Sequence, residues 1–234
     1  MVVPHRALHY VPFHALYDGA AYAIERREIC HTPSASVLRR CLTRPYRPID
    51  RALLLGLPDA QIPRVRDEVR AIAAQFDQAE TLLDEQATPA ALRQRAPGAD
   101  AIHLACHGEF RPDNPLFSAL HLSGGSLTVR DAYELNLQCE LVALSACETG
   151  ISAVSPGDDL AGLARGFFSA GAPTLLLSLW TVDDASTADL MAHFYRRLRA
   201  GARPAAALRE AQRALLTRTP HPFFWSAFAL FGRW

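Results

Sequence analysis

Apolar and polar positions follow two rhythms along the chain, and the change comes near residue 50. Residues 1–33 alternate apolar with polar around the turn signal Tyr17-Asp18-Gly19, which predicts a hairpin with arms Leu8–Leu16 and Ala21–His31. A helix near Ser36–Leu42 follows. From Ala52 onward, short apolar runs alternate with segments of helical period. They predict strands at Ala52–Leu57, Thr81–Leu83, Ala101–Cys106, Leu141–Cys147, Thr174–Trp180 and Ser226–Phe231. Helices are expected over Pro63–Gln78, Pro89–Arg95, Asp159–Ser169, Ala185–Ala200 and Pro204–Thr217, with mixed short strands and a helix over Leu116–Leu137.

Alternating strand and helix units predict an α/β fold, a mostly parallel six-stranded sheet with helices on both faces and right-handed crossovers. The segment 1–50 reads as an accessory layer built on the hairpin, 51–234 carries the sheet, and 1–234 reads as one domain. No fixed-period repeat or low-complexity segment interrupts it.

Two of the apolar runs end abruptly in turn-forming residues and carry reactive side chains at that end. The first is Ala-Ile-His-Leu-Ala-Cys-His-Gly (101–108), and the second is Leu-Val-Ala-Leu-Ser-Ala-Cys-Glu-Thr-Gly (141–150). Strands apolar throughout are the buried strands of parallel sheets, and functional groups of such sheets collect just beyond their carboxyl ends. A His and a Cys at such ends can meet as base and nucleophile, which marks out His107 and Cys147. The thiolate is the reactive form of Cys, so a neighbouring His that takes the proton and later returns it is what that chemistry needs. Gly108 after the His and Gly150 after the Cys leave room for backbone N–H groups to approach a substrate carbonyl. Two bland alternatives stand beside this one: Cys147 as a small buried hydrophobe, and His107 as a hydrogen-bonded strand end.

Composition narrows the field. Half of the 234 residues are hydrophobic, enough for a full core, and 24 basic against 24 acidic side chains leave zero formal charge. Nothing in that balance asks for nucleic acid or an anionic membrane. Every basic side chain is Arg, which excludes lysine-dependent chemistry such as the P-loop and the pyridoxal phosphate Schiff base. Five Cys at 30, 41, 106, 139 and 147, with no C-x-x-C pair, fit reduced thiols in a cytosol, and the first ten residues lack the pattern of a signal peptide. No apolar stretch approaches a membrane span, so a soluble cytoplasmic protein is expected.

A zinc site is the chemical rival, because His103, Cys106, His107 and Cys147 include suitable donors. Strand parity weakens it: His103 and His107 share one face while Cys106 points to the other, and the usual zinc spacings are missing. Cys106 then reads as core. His103 reads as a satisfied core histidine whose parity could brace the site. No cofactor is called for.

Asp158 and Asp159, in Pro156-Gly157-Asp158-Asp159-Leu160, precede a predicted helix. One of them suits an N-cap, and the other suits an acidic pocket wall that would favour a basic substrate side chain. Trp180-Thr-Val-Asp-Asp184 has the same double reading as helix cap or pocket rim. Phe223, Phe224, Trp225 and Phe228 read as core aromatics, and the charged face of Arg64–Arg70 as a solvated helix surface.

With these residues in hand, the chain resembles the CHAT family of caspase-like cysteine peptidases, relatives of separase often fused to TPR repeats. The resemblance rests on Leu8-His-Tyr-Val-Pro-Phe-His-Ala-Leu16, Pro33-Ser-Ala-Ser36, His103-Leu-Ala-Cys-His-Gly108 and Leu144-Ser-Ala-Cys-Glu-Thr-Gly150. It extends through Leu160 to Pro173, Ser178-Leu-Trp-Thr-Val-Asp-Asp184, Phe194-Tyr195 and His221-Pro-Phe-Phe-Trp-Ser-Ala-Phe228. It implies a caspase-hemoglobinase-like three-layer sandwich, hydrolysis of a peptide bond in a protein substrate, His107 as base and Cys147 as nucleophile. The amides of Gly108 and Cys147 would be the oxyanion donors, and Asp158 or Asp159 would bind the substrate. The chain starts inside the family's first strand and carries no TPR repeats, which points to a TPR-containing or NTPase-type partner elsewhere. A non-catalytic caspase-like interaction module is the second function class, and the retained His and Cys speak against it.

Overall fold

In a computed structural model the chain is described over residues 1–5, 8–9, 11–109, 114–147, 159–180 and 182–234. Among these the strands are β1 (Arg51–Gly56), β2 (Gln78–Leu83), β3 (Ala101–Glu109), β4 (Ala119–Leu122), β5 (Gly125–Thr128), β6 (Leu141–Cys147), β7 (Thr174–Ser178) and β8 (Phe228–Gly232). The helices are α1 (Ala23–Arg26), α2 (Ala35–Thr43), α3 (Val65–Ala73), α4 (Pro89–Arg95), α5 (Val129–Tyr133), α6 (Asp159–Ala170), α7 (Asp184–Arg199), α8 (Pro204–Leu216) and α9 (Pro222–Trp225).

The main sheet runs β2-β1-β3-β6-β7-β8, six strands that coincide with the six expected runs. All neighbours along this path are parallel except β7 and β8. The hairpin β4–β5 hangs from the far end of β3, where Gly108 pairs with Leu120 and Glu109 with Ala119.

Parity sorts each strand's apolar residues between two cores. Leu53, Leu55, Ile102, Leu104, Cys106, Val142 and Leu144 face one layer, with Leu92 of α4, Val129 and Ala132 of α5, and Phe167 of α6. Leu54, Ala101, Ala105, Leu141, Ala143 and Leu176 face the other, with Val69 and Ile72 of α3, Phe194 and Tyr195 of α7, and Leu208 and Ala211 of α8. The run of alanines on the second face lets large side chains of α3 and α7 reach the middle of the sheet. Each fully buried Leu or Phe contributes about 1.5–3 kcal/mol of transfer free energy, so both layers are needed to hold the strands. No helix among the described residues is long and apolar enough to cross a membrane.

The N-terminal segment differs from the expected hairpin. Its turn is where the sequence placed it, closed by the antiparallel bridge Tyr17↔Tyr22, with the Asp18 carboxylate accepting from the amides of Ala20 and Ala21. The arms, however, are a 3-10 turn at Phe13–Ala15 and the short helix α1, not strands. Tertiary anchors override the alternation. His14 is buried and its Nε2 donates to the Ser226 carbonyl at 2.6 Å, and the Tyr22 amide that opens α1 donates to the Glu25 carboxylate at 2.7 Å. A residue-by-residue strand ladder would have to break both.

Candidate active site

β3 and β6 lie side by side, and their parallel register matches His103 with Ala143 and His107 with Cys147. Residues matched across a parallel pair point to the same face of the sheet. The two expected chemical residues thus occupy neighbouring positions at the carboxyl end of adjacent central strands, on the face of α3, α7 and α8. Burial changes where the chemistry starts: from Ala101 to Cys106 β3 is buried throughout, whereas the His107 side chain is 24% exposed. The description of Cys147 and Asp159 is confined to the backbone, and Glu148–Asp158 lie outside the described residues. Asp158, Gly150, Pro156 and Gly157 are among them. Asp159 is the first residue of α6.

A third residue, absent from the sequence reading, completes the local geometry. Beyond β1 the chain continues beside β3, with the Leu57 amide donating to the Ala105 carbonyl at 2.9 Å, and turns at Pro58-Asp59. Asp59 Oδ1 accepts from the amides of Gln61 at 2.8 Å and Ile62 at 3.1 Å, an Asx turn that fixes the carboxylate. Its other oxygen, Oδ2, lies 2.8 Å from His107 Nε2. Partial burial raises the Asp59 carboxyl, but those two amides and the imidazole outweigh it and hold the group below the usual carboxylate range. An ionised carboxylate can only accept, so His107 Nε2 carries the hydrogen. In the neutral ring the free lone pair then belongs to Nδ1.

His103, four residues earlier on the same face, has a different environment. It is fully buried, with Nε2 3.0 Å from Glu68 Oε1 on α3, at ion-pair range but without the alignment of a linear hydrogen bond. The Tyr195 hydroxyl of α7 lies 3.4 Å from its Nδ1, and burial raises that phenol well above its ordinary value, so it stays a donor. Glu68 corrects the expectation that the charged face of α3 is wholly solvated: at 1% exposure it points inward. Cys106 lies in the opposite core, so the four donors of the zinc alternative do not converge on one side of the sheet.

The double reading of Asp183 and Asp184 also separates. Asp183 is the N-cap of α7, accepting from the Ser186 amide at 2.9 Å, and Asp184 Oδ2 accepts from the Arg64 amide at 2.7 Å. Burial, with Glu68 and Asp183 nearby, raises the Asp184 carboxyl. Trp180, just beyond β7, packs against both cores and keeps a buried indole N–H without a hydrogen-bond partner among the described residues. Of the terminal aromatics, Trp225 and Phe228 are core as expected, but Phe223 is 42% exposed because α9 turns it outward.

The comparisons with known proteins agree with this architecture. Tetratricopeptide repeat protein 28 of Homo sapiens is 35% identical over 108 residues, which is 45% of this chain and 4% of that protein. The Mus musculus protein of the same name is 34% identical over the same length. Thus the chain spans only a small part of these relatives. Among solved structures, the Saccharomyces cerevisiae separase–securin complex superposes with a TM-score of 0.67 over 96% of this chain and 15% of that one, at 14% identity. The Arg-specific cysteine proteinase gingipain R superposes with a TM-score of 0.61 over 86% of this chain and 52% of that one, at 12% identity. At such identities the likeness is one of fold, the caspase-like α/β sandwich. The CHAT-domain model matches residues 1–233, and the chain belongs to the CHAT-domain family.

Proposed function

We propose that this CHAT domain is a cysteine endopeptidase that cuts a protein substrate with Cys147 as nucleophile and His107 as general base. The observation that carries this reading is the His107↔Cys147 register, with Asp59 holding Nε2 and leaving Nδ1 as the free base. Nδ1 takes the thiol proton as Sγ bonds to the scissile carbonyl carbon. The resulting oxyanion is met by backbone N–H groups, for which Gly108 and Cys147 are the candidates, both at the mouth of the paired strands. The C–N bond breaks as the proton passes to the leaving amine, giving a thioacyl enzyme. Water, losing a proton to His107, then displaces the thiolate and releases the acid product.

Asp158 and Asp159 supply an acidic wall in this reading, and the substrate side chain before the cut is Arg or Lys. A TPR-containing or NTPase-type partner carries regulation, a role suggested by relatives named for tetratricopeptide repeats and by a fold neighbour solved in complex with securin. Reduced thiols fit a cytoplasmic setting. Cys30, Cys41 and Cys139 are buried, and burial pushes Cys30 and Cys139 to about 12 and raises Cys41.

The test is a peptide-library digest of the wild type beside Cys147→Ala, with thermal melting of each. Cleavage by the wild type and its loss in an equally stable Cys147→Ala protein are expected; equal cleavage by both refutes the mechanism. In parallel, brief alkylation at mildly acidic pH should modify Cys147 selectively, because the buried thiols stay protonated. Five equally sluggish thiols would favour the non-catalytic interaction module. Asp158→Asn and Asp159→Asn should lose the preference for Arg or Lys, and an unchanged cut profile in both overturns the acidic wall.

A further inference from the structure

A cavity of about 350 Å³ opens at the amino ends of β6 and β7, the end of the sheet away from the His107–Cys147 pair. Val37 and Arg40 of α2, with Arg44 just past its end, form one wall, Arg165 and Phe168 of α6 the other, and Tyr133 of α5 lies at its edge. The volume is near the lower end for ligand sites, which begin at about 300 Å³, so it suits one large side chain and its neighbours better than a cofactor. Gly171 keeps the wall thin. Its φ of 117° suits glycine, and a Cβ there would come within 2.5 Å of the Leu137 carbonyl oxygen.

Among the described residues that line this cavity every charged side chain is Arg, although the chain as a whole is neutral. Arg40 donates to the Ser169 carbonyl at 3.4 Å, and Arg44 donates to the carbonyls of Gly171 at 2.6 Å and Gln138 at 3.3 Å. Carbonyls satisfy donors but do not cancel charge, and neither Arg is paired with a described carboxylate. Beside them Arg47 and Arg233 share the one carboxylate of Glu140. Burial first, and the neighbouring charge of Arg44 second, hold the Arg233 guanidinium below its ordinary value. Guanidinium groups keep unused in-plane donors and prefer carboxylates. A wall of Val37 and Phe168 with a Tyr133 rim offers an apolar seat beside them.

We propose that this cavity binds an acidic peptide segment of a protein partner, seating an aromatic or leucine side chain against Val37 and Phe168 while its carboxylates meet Arg40 and Arg44. A protein segment fits better than a nucleic acid because the seat is one compact apolar cavity and not a track of cations with stacking rings. The proposal does not depend on the peptidase reading, and the test is run on Cys147→Ala protein so that no peptide can be consumed.

Fluorescence anisotropy would follow a labelled peptide carrying one Phe between Glu residues. Saturable binding in the micromolar range is expected. Arg40→Glu should weaken it at least ~10-fold, a coupling of about 1.4 kcal/mol, and Tyr133→Ala should weaken it less. Both positions are exposed, and unchanged thermal midpoints would show that each variant is folded. No saturable binding would mean that the arginines serve only to cap the end of α6. Equal binding of an all-Glu peptide without Phe, or of single-stranded RNA, would reduce the site to a general basic surface. Binding unaffected by both variants would place it elsewhere. Each of these three results overturns the proposal.

Discussion

Two histidines on one strand, four residues apart and on one face, show how depth in the fold decides what the same side chain does. His103 lies where β3 is covered by α3 and α7, and it is fully buried beside Glu68 and Tyr195. His107 lies where the helices no longer cover the sheet, and its carboxylate partner belongs to a surface loop and is 48% exposed. Enclosure turns the first constellation into a structural polar cluster. Access to solvent leaves the second open to a ligand, which the proposed role of His107 as a base requires. The pairing of imidazole with carboxylate is common to both, so the pairing alone does not identify a site.

The comparison is broken most directly by removing each ring. His107→Ala should lower kcat/KM by ~10³-fold or more while leaving the thermal midpoint near that of the wild type, because the side chain lies at the mouth of the strands and belongs to neither apolar core. His103→Leu should act the other way. It leaves Glu68 buried against an apolar group, a defect of about 3 kcal/mol, and should spare turnover below the lowered melting temperature. The double variant His103→Leu with Glu68→Leu should recover much of that loss, because it removes the stranded acid along with its partner. Urea melts of the single and double variants measure this coupling; equal stability of all three proteins would remove the polar cluster from the fold's energetics.

Asp59 sharpens the contrast with a smaller effect. Asp59→Asn keeps the Oδ1 that accepts from Gln61 and Ile62, so the turn survives. It replaces the acceptor at His107 with an N–H group, which favours the ring tautomer protonated on Nδ1, the wrong one for taking the Cys147 proton. A fall in kcat of ~10- to 10²-fold with little change in KM is expected, worth about 1.4–2.7 kcal/mol. Unchanged kcat would show that the carboxylate has no positioning role.

Much of this geometry was legible in the chain because it follows from local pattern. The apolar runs ending at His107 and Cys147 read as buried parallel strands, and both are central in the sheet; that they are neighbours is set by the pairing of β3 with β6. Parity alone assigned Cys106 to the opposite core. Asp59 was not legible: it sits in a loop without periodicity, and its meeting with a residue 48 positions away depends on the register of β1 against β3. Glu68 was hidden for the opposite reason, since an acid in a charged helical stretch looks solvated unless a buried His faces it. In residues 1–33 alternation misled, because α1 and the 3-10 turn are held by long-range contacts to Ser226 and Trp225 that no local pattern encodes.

That same N-terminal layer contains the two histidines whose protonation the fold resists most. Burial pushes His14 and His31 from 6.5 to about 4. His14 donates to the Ser226 carbonyl, whereas the His31 ring nitrogens make no well-aligned hydrogen bond among the described residues, and its ring sits between Phe13 and Phe231 at 5.7 and 5.1 Å. A folded pKa below the unfolded one means that the unfolded chain binds more protons between the two values, so stability falls as pH drops through that window. The penalty is absent above about pH 6.5 and complete below about pH 4. The lowered carboxyls of Asp59, Asp100 and Asp131 act only below their ordinary 3.8, the raised Asp184 carboxyl acts against the loss above it, and His193, lowered by burial and by Arg196, adds a smaller part, so the loss between pH 6.5 and 4 belongs chiefly to the two buried rings. Urea midpoints should therefore be level from neutral pH to about 6.5 and then decline, by about 1–2 kcal/mol per ring at pH 5. His31→Phe preserves the ring packing and removes the titration, so it should flatten about half of that decline while leaving neutral-pH stability equal or slightly higher. An unaltered slope in His31→Phe would assign the acid sensitivity to His14, with the smaller part of His193, and so chiefly to the carbonyl contact that holds the N-terminal layer against Ser226.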